Sequence, residues 1–392
     1  MADPVCILGH GVAALALLRE YRRLAPSAPV LVLSDTDGNY CYKPRLTAAF
    51  SRGLLPSELV TEAAMSWTAR LDARLLCTPE APVVDTRRRT LRVGADTIRY
   101  RALVLAVGAQ GRVPELAEAC VPLLRIDTWQ EWRHAHPQLS RAQHVAVVGA
   151  GLVGCELADD LARAGKEVEL VDNGPWPLHG KVPAEIGTLL ARTLSHYGTH
   201  FHRQRRLHAL RSARAGHLRL DLGDGRGVAA DAVVSAVGVS PNLAPARALG
   251  VACRTGVCVD ATLATSVPRV FALGDVAEVD GVWQATVASA KAQAQVLAAR
   301  LAGEDARLRP VRHPVKVKTE LCPIVYSSRP GPALKWQLTE RTRRGIAALQ
   351  LDPAGRPVGF ALQGQAASSH RVAELAALCS QPEAAAAAHA TG

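Results

Sequence analysis

The sequence has 392 residues, about two to three times a typical domain, so at least two hydrophobic cores are expected and a single small binding module is excluded. Aliphatic and small residues dominate its 48% hydrophobic fraction, while aromatic residues reach only 4%, a balance typical of buried parallel strands and Ala-rich helices and not of a disordered chain. The excess of 46 Lys and Arg over 35 Asp and Glu gives a net charge of +11, which indicates either acidic partners or an Arg-rich solvated surface.

The apolar segments are too short, or too often broken by glycine, to provide the roughly 18 apolar residues that cross a bilayer. The apolar run from Val5 to Leu18 follows Asp3 and no basic residues, so it is interpreted as folded structure and not as a secretory signal. The nine cysteines form no CxxC metal motif. Their odd number predicts reduced thiols in a cytoplasmic protein.

The N-terminal region shows a βαβ pattern. The short strand VCILG stops at glycine, the helix VAALALLREYRRL follows, and VLVLS forms the second strand. A further buried strand in residues 101–109 ends at Gly108. The order of strand, glycine turn, helix and strand is repeated in residues 144–172, about 140 residues further along the chain. The sequence therefore predicts two dinucleotide-binding folds.

Two later strands, in residues 233–238 and 270–275, also end on glycine-containing turns. The next helix has Thr286 or Ser289 as its N-cap candidate and Gly303 as its end. Short alternating segments beyond residue 310 predict a small α+β domain, and the end of the chain, residues 382–392, is expected to be frayed. The predicted fold class is α/β, with a first Rossmann-like domain in residues 1–112 and 234–309, a second in residues 113–233, and the small domain in residues 310–392.

The first glycine turn has the spacing GxGxxA, formed by Gly9, Gly11 and Ala14 between a strand and a helix. In this setting the first glycine permits a tight turn, the second lets the backbone approach a pyrophosphate, and the third position keeps helix and strand close. Asp35 lies 24 residues after Gly11 and is the expected ribose ligand, with Asp37 as the alternative. The competing interpretation is a glycine turn that serves only packing.

The second turn has the full GxGxxG spacing at Gly149, Gly151 and Gly154, and Asp172 follows Gly151 by 21 residues. A carboxylate at this point accepts hydrogen bonds from ribose hydroxyls and repels a 2′-phosphate. The pattern therefore predicts NADH in preference to NADPH, unless the nearby Lys166 or Arg163 changes that preference.

Two dinucleotide folds in one chain predict one resident and one exchanging dinucleotide, as in an FAD enzyme that NAD(H) reduces. Gly274 and Asp275 follow a late strand, where the carboxylate is placed to hold the ribityl hydroxyls of a flavin. The helix that starts near Thr286 is expected to point its positive dipole end at the flavin edge that becomes anionic on reduction. Stabilising that charge raises the flavin potential.

Several segments resemble the FAD-dependent rubredoxin reductases of the pyridine nucleotide-disulphide oxidoreductase superfamily. The segments are GHGVAA, YKP at residues 42–44, RALVLAVGA, GAGLVGCE, SAVGVSPN, TSVPRVFALGDVAEVDG and VKVKTELCP. The resemblance covers nearly the whole chain. YKP, VKVKT and the tail segment GFALQG are similar to the rubredoxin and flavorubredoxin reductase branch in particular.

The resemblance implies roles for single residues. Lys43 would lie beside the flavin N5 and pair with Glu156, so that the two orient the nicotinamide carboxamide, and Lys318 would lie near the pyrimidine edge of the flavin. The backbone contacts to FAD implied by the family are those of Val12, Ala13, Ser34, Ala81 and Val287. Asp35 and Asp172 depart from residues common in the family. Each of the three charged residues has a competing interpretation. Lys43 could be a surface lysine at a turn, Glu156 a carboxylate favoured at a helix N-terminus, and Lys318 a residue on the solvent face of a strand.

The cysteine spacing differs from that of the disulphide-reducing relatives. Cys41 has no second cysteine five positions later, so no redox disulphide is expected beside the flavin. Cys253 and Cys258 have the CxxxxC spacing far along the chain, where the resemblance implies aliphatic residues and no redox role. Cys155 is interpreted as a small buried hydrophobic residue.

No metal site is predicted. His196, His200 and His202 span a helix end and a strand, where side chains are expected to diverge, and no carboxylate or thiolate is expected to complete the set. The basic run in residues 202–208 lacks interleaved aromatic residues, so it predicts a solvated strand edge and no nucleic-acid site.

The predicted function is hydride transfer from NADH to FAD, followed by single-electron transfer to a small acidic iron protein, rubredoxin, with ferredoxin as the alternative. The small C-terminal domain and the region of Arg45 are the expected contacts, because the partner is acidic and the chain is basic. Alternative acceptors are flavorubredoxin and oxygen. An alternative of another class is a signalling flavoprotein similar to apoptosis-inducing factors, which binds a partner or DNA in its reduced state.

Overall fold

A computed structural model describes residues 2–213, 217–223, 225, 227–309 and 311–380. The segment 382–392, expected to be frayed, lies outside the described residues. The described chain forms eight helices: α1 (Val12–Leu24), α2 (Ala64–Arg70), α3 (Trp129–Arg141), α4 (Leu152–Arg163), α5 (Ala184–His196), α6 (Ala244–Ala248), α7 (Val287–Ala302) and α8 (Ser369–Leu378). None of these helices combines the length and the apolar composition that a bilayer crossing requires.

The strands of the described residues are numbered in chain order. They are β1 (Val5–Leu8), β2 (Val30–Ser34), β3 (Tyr40–Cys41), β4 (Val60–Glu62), β5 (Arg74–Cys77), β6 (Val83–Asp85), β7 (Thr90–Val93), β8 (Asp96–Arg99), β9 (Ala102–Leu105), β10 (Ala109–Gly111), β11 (Glu118–Ala119), β12 (His144–Val148), β13 (Glu167–Val171), β14 (Thr199–His202), β15 (Ala209–Ser212), β16 (Leu218–Asp221), β17 (Gly227–Ala230), β18 (Ala232–Ser235), β19 (Val239–Pro241), β20 (Val257–Val259), β21 (Val270–Ala272), β22 (Ala277–Val279), β23 (Val282–Trp283), β24 (Val315–Val317), β25 (Ile324–Ser327), β26 (Lys335–Arg341), β27 (Gly345–Leu351) and β28 (Pro357–Gly364).

The chain divides into two compact units. The first contains residues 1–42, 57–110 and 239–310, and the second contains residues 43–56, 111–238 and 311–392. The segment that begins at Lys43 and the C-terminal domain thus belong to the same unit as the second glycine turn. The four-part division by ligand that the sequence suggests stays a prediction.

The first unit is built on a five-stranded parallel sheet in the order β21-β9-β1-β2-β5. β1, β2 and β9 are buried along their whole length, which explains their uninterrupted apolar sequences. α1 and α7 pack against each other and share the core of this sheet. The carboxyl ends of β1, β2 and β21 lead into the Gly9 turn, Asp35 and the Gly274 turn, so one edge of the sheet collects these predicted FAD residues.

The second unit contains a four-stranded parallel sheet in the order β14-β13-β12-β18. A second four-stranded sheet, β11-β15-β16-β17, contributes to a core with β12, β13 and β18. The C-terminal domain is an antiparallel sheet in the order β24-β25-β28-β27-β26, and α8 packs on β28. The predicted α/β class with a small α+β C-terminal domain is confirmed.

Candidate functional site

The first glycine turn has the backbone geometry that its sequence predicts. Gly9 adopts φ +99°, and a Cβ at this position would lie 2.5 Å from the carbonyl oxygen of Ala106, so only glycine fits. A Cβ on Gly11 would meet no atom within 4 Å, and Gly11 begins α1 without a side-chain cap. The amides at the start of α1 therefore face open space, which fits a pyrophosphate.

The second turn has the same geometry with a tighter third position. Gly149 has φ +108° and lies against Ala236, and Gly151 again faces open space at the start of α4. A Cβ on Gly154 would lie 1.8 Å from the carbonyl oxygen of Gly149. Helix and strand are therefore in close contact here, whereas the first turn accommodates the methyl group of the buried Ala14.

The side chain of Asp172 is held in place by the second glycine turn, beside which it was predicted to bind ribose. Its carboxylate accepts hydrogen bonds from the backbone amides of Ala150, at 2.7 Å, and Gly174, at 2.6 Å. The same carboxylate thus bridges the glycine turn and the residues that follow β13, and this arrangement orients it before any ligand binds. Its role as a ribose ligand stays a prediction.

Lys166 and Arg163, which were considered able to change the preference for NADH over NADPH, form contacts with other residues of the second unit. The buried ammonium of Lys166 donates to the carbonyl oxygens of Ala142, at 2.5 Å, and Ser140, at 3.3 Å, and burial lowers its pKa. Arg163 forms an ion pair with Glu320 at 2.7 Å. Both contacts favour the interpretation that Asp172 governs the preference.

Asp35, the counterpart of Asp172 in the first unit, is more exposed to solvent. Asp35 directly follows β2 and is exposed. Ser34 is buried, and its hydroxyl accepts from the amide of Thr36 at 3.0 Å and contacts His10 Nδ1 at 2.9 Å. Ala81 lies exposed between β5 and β6. The contacts of these residues with FAD stay predictions.

The Gly274 turn packs directly on α1. Gly274 has φ +78°, and a Cβ there would lie 2.6 Å from the Cβ of Ala13. Its amide donates to Gln293 Oε1 at 2.6 Å, and Gln293 Nε2 donates to Ser289 Oγ at 3.0 Å. The buried Gln293 therefore connects this turn to α7, a role that its position inside an Ala-rich helix did not reveal.

The start of α7 distinguishes between the two N-cap candidates. Thr286 is the N-cap, because its hydroxyl accepts from the amide of Ser289 at 3.1 Å. Val287 is the first helical residue, and Val12 occupies the same place in α1, so both backbones stand at the positive end of a helix. Asp275 follows in the short 3₁₀ turn Gly274–Val276. The predicted contacts of Val12, Ala13, Asp275 and Val287 with the flavin stay untested.

Glu156 is the centre of a buried polar network in the second unit. Only 2% of this residue is exposed. Its Oε1 accepts from the Lys318 amide at 2.9 Å, and its Oε2 accepts from the Thr47 hydroxyl at 2.6 Å. The same Oε2 lies 2.6 Å from the Lys318 ammonium. These contacts compensate the cost of burying the charge.

The joint role of Lys43 and Glu156 at the nicotinamide stays a prediction, and the structure adds an ion pair of Glu156 with another lysine. Among the described residues, the cation beside Glu156 is Lys318, because its backbone amide and its ammonium both reach the carboxylate. Lys318 Nζ also donates to the carbonyl oxygen of Pro44 at 2.6 Å and to Thr47 Oγ1 at 2.9 Å. Lys43 itself is exposed at the start of the 3₁₀ segment Lys43–Ala48.

Two residues that connect α4 to the segment after Lys43 were missed from the sequence, Thr47 and Asp160. The Asp160 carboxylate accepts from the amides of Phe50, at 2.8 Å, and Ser51, at 3.0 Å, and from the Ser51 hydroxyl at 2.5 Å. The segment after Lys43 is thereby anchored to α4. A usable signal existed, since Glu156 and Asp160 are four residues apart and therefore share one helix face.

All nine cysteines are free thiols. Cys155 is buried, and its thiol donates to the carbonyl oxygen of Ala150 at 3.2 Å. Burial raises the pKa of Cys155 and of Cys253, whereas a reactive thiol needs a lowered pKa. Neither residue has the surroundings of a redox nucleophile.

The expectation that no carboxylate accompanies the histidines was wrong. Glu169 lies beside His200 and His202, because the parallel register of β13 and β14 pairs Glu169 with His200. His196 lies at the end of α5 and is not part of this cluster.

Two family models match consecutive parts of the chain. Residues 3–294 match the family model described as pyridine nucleotide-disulphide oxidoreductase. The chain belongs to this family. Residues 310–378 match a rubredoxin binding C-terminal domain, so Lys318 lies in that domain and Glu156 lies in the dinucleotide-binding part.

Relatives and solved structures agree with this assignment. The nitric oxide reductase FlRd-NAD(+) reductase of Vibrio vulnificus is 33% identical over 366 residues, which cover 93% of this chain and 95% of the relative. A ferredoxin reductase of Rhodopseudomonas palustris has a TM-score of 0.83 at 26% identity, covering 92% of this chain and 91% of that chain. The NADH:rubredoxin oxidoreductase of Clostridium acetobutylicum shares the fold at 18% identity, with a TM-score of 0.78 and coverage of 97% and 95%.

Members of this family use FAD and a nicotinamide dinucleotide, as predicted for this chain. The residues present fit both ligands, because each glycine turn leaves open space in front of a helix N-terminus. The cysteines of the described residues are all unbonded, and the absence of a redox disulphide beside the flavin stays a prediction.

Proposed function

We propose that this protein transfers electrons from NADH through FAD to rubredoxin. The observation that carries the proposal is the combination, in one chain, of two dinucleotide turns and a match to a rubredoxin-binding domain. Bound FAD would supply the redox chemistry, since it accepts two electrons as a hydride and releases them singly. Because Cys41 has no second cysteine five positions later, bound FAD would supply electrons to the iron protein without a sulfur intermediary.

We assign binding roles to the two turns. The amides at the start of α1 and the Gly274 turn hold FAD, and those at the start of α4 hold the pyrophosphate of NADH. Asp172 accepts hydrogen bonds from the ribose hydroxyls of NADH, and Asp35 does the same for FAD. The chain thus separates a resident ligand from an exchanging one.

The charged residues of the second unit position the nicotinamide. Glu156 is held in one orientation by Thr47 and Lys318, and the same two contacts fix the segment that presents Lys43. We propose that Lys43 and Glu156 both orient the nicotinamide carboxamide although they form no ion pair. The ammonium of Lys318 stabilises Glu156 and adds positive charge at this locus.

Docking of an acidic partner is assigned to the basic surface of the C-terminal domain. Arg341, Arg343 and Arg344 are exposed at the turn between β26 and β27, and Arg45 lies in the segment anchored by Asp160. Such a cluster speeds the encounter with an acidic protein at low salt. These arginines are the proposed contacts for rubredoxin.

Stopped-flow kinetics under argon test the proposal. Wild-type holoenzyme, reduced with NADH, is expected to reduce an acidic rubredoxin with a rate that falls steeply as salt rises. The double variant Arg343→Ala/Arg344→Ala should show a lower rate and a flatter salt profile, while Arg87→Ala, an exposed arginine of the first unit, should behave as wild type. A purified protein that cannot bind FAD, or a salt-independent rate, contradicts the proposal.

A second acceptor is favoured by the relatives from Vibrio vulnificus, whose name refers to flavorubredoxin (FlRd). Parallel assays with isolated rubredoxin, flavorubredoxin, ferredoxin and oxygen separate the acceptors by kcat/KM. Slow turnover with all of them, together with NADH-dependent oligomerisation or salt-sensitive DNA binding, would favour the signalling alternative.

We also propose a cytoplasmic location. The support is the set of nine free thiols, a cysteine content that persists without disulphides in reducing compartments.

A further inference from the structure

Three potential metal ligands meet at the edge of the parallel sheet in the second unit. Glu169 lies on β13, and His200 and His202 lie on the edge strand β14; we name these three residues the β14 cluster. One ligand atom from each lies within 4.8 Å of the other two. We propose that the β14 cluster binds a divalent transition metal ion such as Zn²⁺, a property that electron transfer to rubredoxin does not require.

The register of the sheet brings the three side chains together. β13 and β14 run parallel, with Glu169 opposite His200 and Val171 opposite His202. Residues two apart on a strand point to the same face, and neighbouring strands are about 4.8 Å apart. Both imidazoles and the carboxylate therefore project from adjacent points on one face.

The contacts within the β14 cluster are already close to those of a coordination sphere. His202 Nε2 lies 2.5 Å from Glu169 Oε2, and the rings of His200 and His202 have centroids 4.5 Å apart at an angle of 62°. Ligand atoms around tetrahedral zinc, each about 2.0–2.1 Å from the ion, are about 3.3 Å from one another. Small side-chain rotations reach this spacing, and the ion then replaces the proton shared between His202 and Glu169.

Access and ligand type determine which ion fits. His200 is exposed, and the side chains of His202 and Glu169 are 18% and 27% exposed, so an ion can enter from solvent. Two imidazoles and one carboxylate suit zinc and its neighbours in the first transition row, whereas calcium and magnesium prefer oxygen ligands. Three protein ligands leave a fourth position for water.

The charges around the β14 cluster do not attract a cation over long range. Its affinity for a metal ion must therefore come from direct coordination. Glu169 contributes the single negative charge of the β14 cluster, and the basic run that starts at Arg203 follows directly. A hard cation held only by electrostatics would be repelled there. Binding is therefore expected to be selective for ions with strong imidazole affinity.

Isothermal titration of metal-free holoenzyme with zinc chloride tests the proposal. Wild type is expected to bind one equivalent more than the double variant His200→Asn/His202→Asn. Glu169→Gln should weaken that equivalent by more than about tenfold, since even the loss of an outer-shell partner costs 10–100-fold. His196→Asn removes an imidazole outside the β14 cluster and should bind as wild type. The nine cysteines are present in every variant, so their contribution cancels.

Thermal unfolding supplies a second readout. Zinc should raise the Tm of wild type and of His196→Asn, but not that of the double variant, because only the native state holds the three ligands together. The single variant His200→Asn changes an exposed side chain and should also lose the extra equivalent. Equal stoichiometry and affinity in wild type and this variant, with matching metal-free Tm and flavin spectrum, would overturn the proposal.

Discussion

The two dinucleotide folds of this chain share a glycine turn and differ in the residues beside it. In the first unit, Gly274 and α7 are joined by neutral hydrogen bonds through Gln293. In the second unit, α4 carries the buried carboxylates of Glu156 and Asp160, each with several donors. The buried carboxylates of Glu156 and Asp160 thus lie on the helix that starts at the turn assigned to the exchanging ligand.

The partner of Glu156 gives this difference a functional meaning. Lys318 belongs to the segment that matches the rubredoxin-binding domain, so an ion pair with a buried carboxylate and a partly exposed ammonium joins α4 to that domain. This ion pair therefore connects two parts of the second unit that match different family models. The variants that follow test whether the charges of Glu156, Lys318 and Asp160 hold the parts of the second unit together.

The largest effect is expected from Lys318→Met. It leaves the buried Glu156 without its cation, a change that costs about 3–5 kcal/mol for a fully buried pair. Because the Lys318 side chain is 35% exposed, the loss should lie at or below the lower end of that range. Urea unfolding measures it, with Lys316→Met on the exposed face of β24 as the control, expected within about 0.5 kcal/mol of wild type. Equal stability of the two variants would show that the ion pair does not hold the unit together.

The third residue of each glycine turn, Gly154 or Ala14, tests how the packing of the turn affects the binding of its nucleotide. Gly154→Ala places a Cβ 1.8 Å from the carbonyl oxygen of Gly149, and overpacking of this kind costs about 1–3 kcal/mol. The KM for NADH should rise because the turn opens, while the FAD content stays unchanged. Ala14→Gly in the first turn relieves no contact and should change FAD content little. If Gly154→Ala keeps the wild-type KM for NADH, the second turn is not packed more tightly than the first.

Asp160 and its neighbour Asp159 differ in their donors, because both oxygens of Asp160 are paired, whereas only Oδ2 of Asp159 accepts a hydrogen bond, from the Glu320 amide. Asp160→Asn replaces one accepting oxygen with a donor that faces the Ser51 and Phe50 amides, so the free energy of unfolding should fall by about 1–3 kcal/mol. Asp159 has a buried oxygen without a partner among the described residues, and Asp159→Asn should be neutral or stabilising at pH 7.

The pH dependence of these two variants has a defined sign. Burial raises the pKa of Asp159, so the folded state holds this proton more tightly than the unfolded chain, whose pKa is about 3.9. Wild-type stability relative to Asp159→Asn should therefore fall as pH rises from about 4 through the folded pKa. Unfolding curves at several pH values measure the difference; an opposite slope would contradict the assigned shift.

The smallest effect concerns the carboxylates assigned to ribose. Asp172→Asn should raise the KM for NADH by about tenfold, as expected for about 1.4 kcal/mol of lost hydrogen bonding, and should reduce the preference over NADPH. Asp35→Asn lies in the other fold and should leave both nicotinamide KM values unchanged. If Asp35→Asn raises the KM for NADH, the assignment of the two turns to their ligands is wrong.

Local sequence patterns predicted the glycine turns well, because their geometry depends on a few adjacent residues. Gly9 and Gly149 have the positive φ that their spacing predicts, and a choice between Thr286 and Ser289 was all that remained open at α7. The buried network was not accessible in this way. Thr47, Glu156 and Lys318 are separated by 109 and 162 residues, and no short-range pattern relates them.

The sequence by itself determined the α/β class, the two turns and the family resemblance, since strand burial and glycine spacing are local consequences of sterics and hydrophobicity. Tertiary structure alone decided that Glu156 forms an ion pair with Lys318, and that Glu169 joins His200 and His202. Both outcomes depend on which distant segments become neighbours. Electrostatic partners are chosen by that proximity, because charge interactions fall with distance in space and are indifferent to distance along the chain.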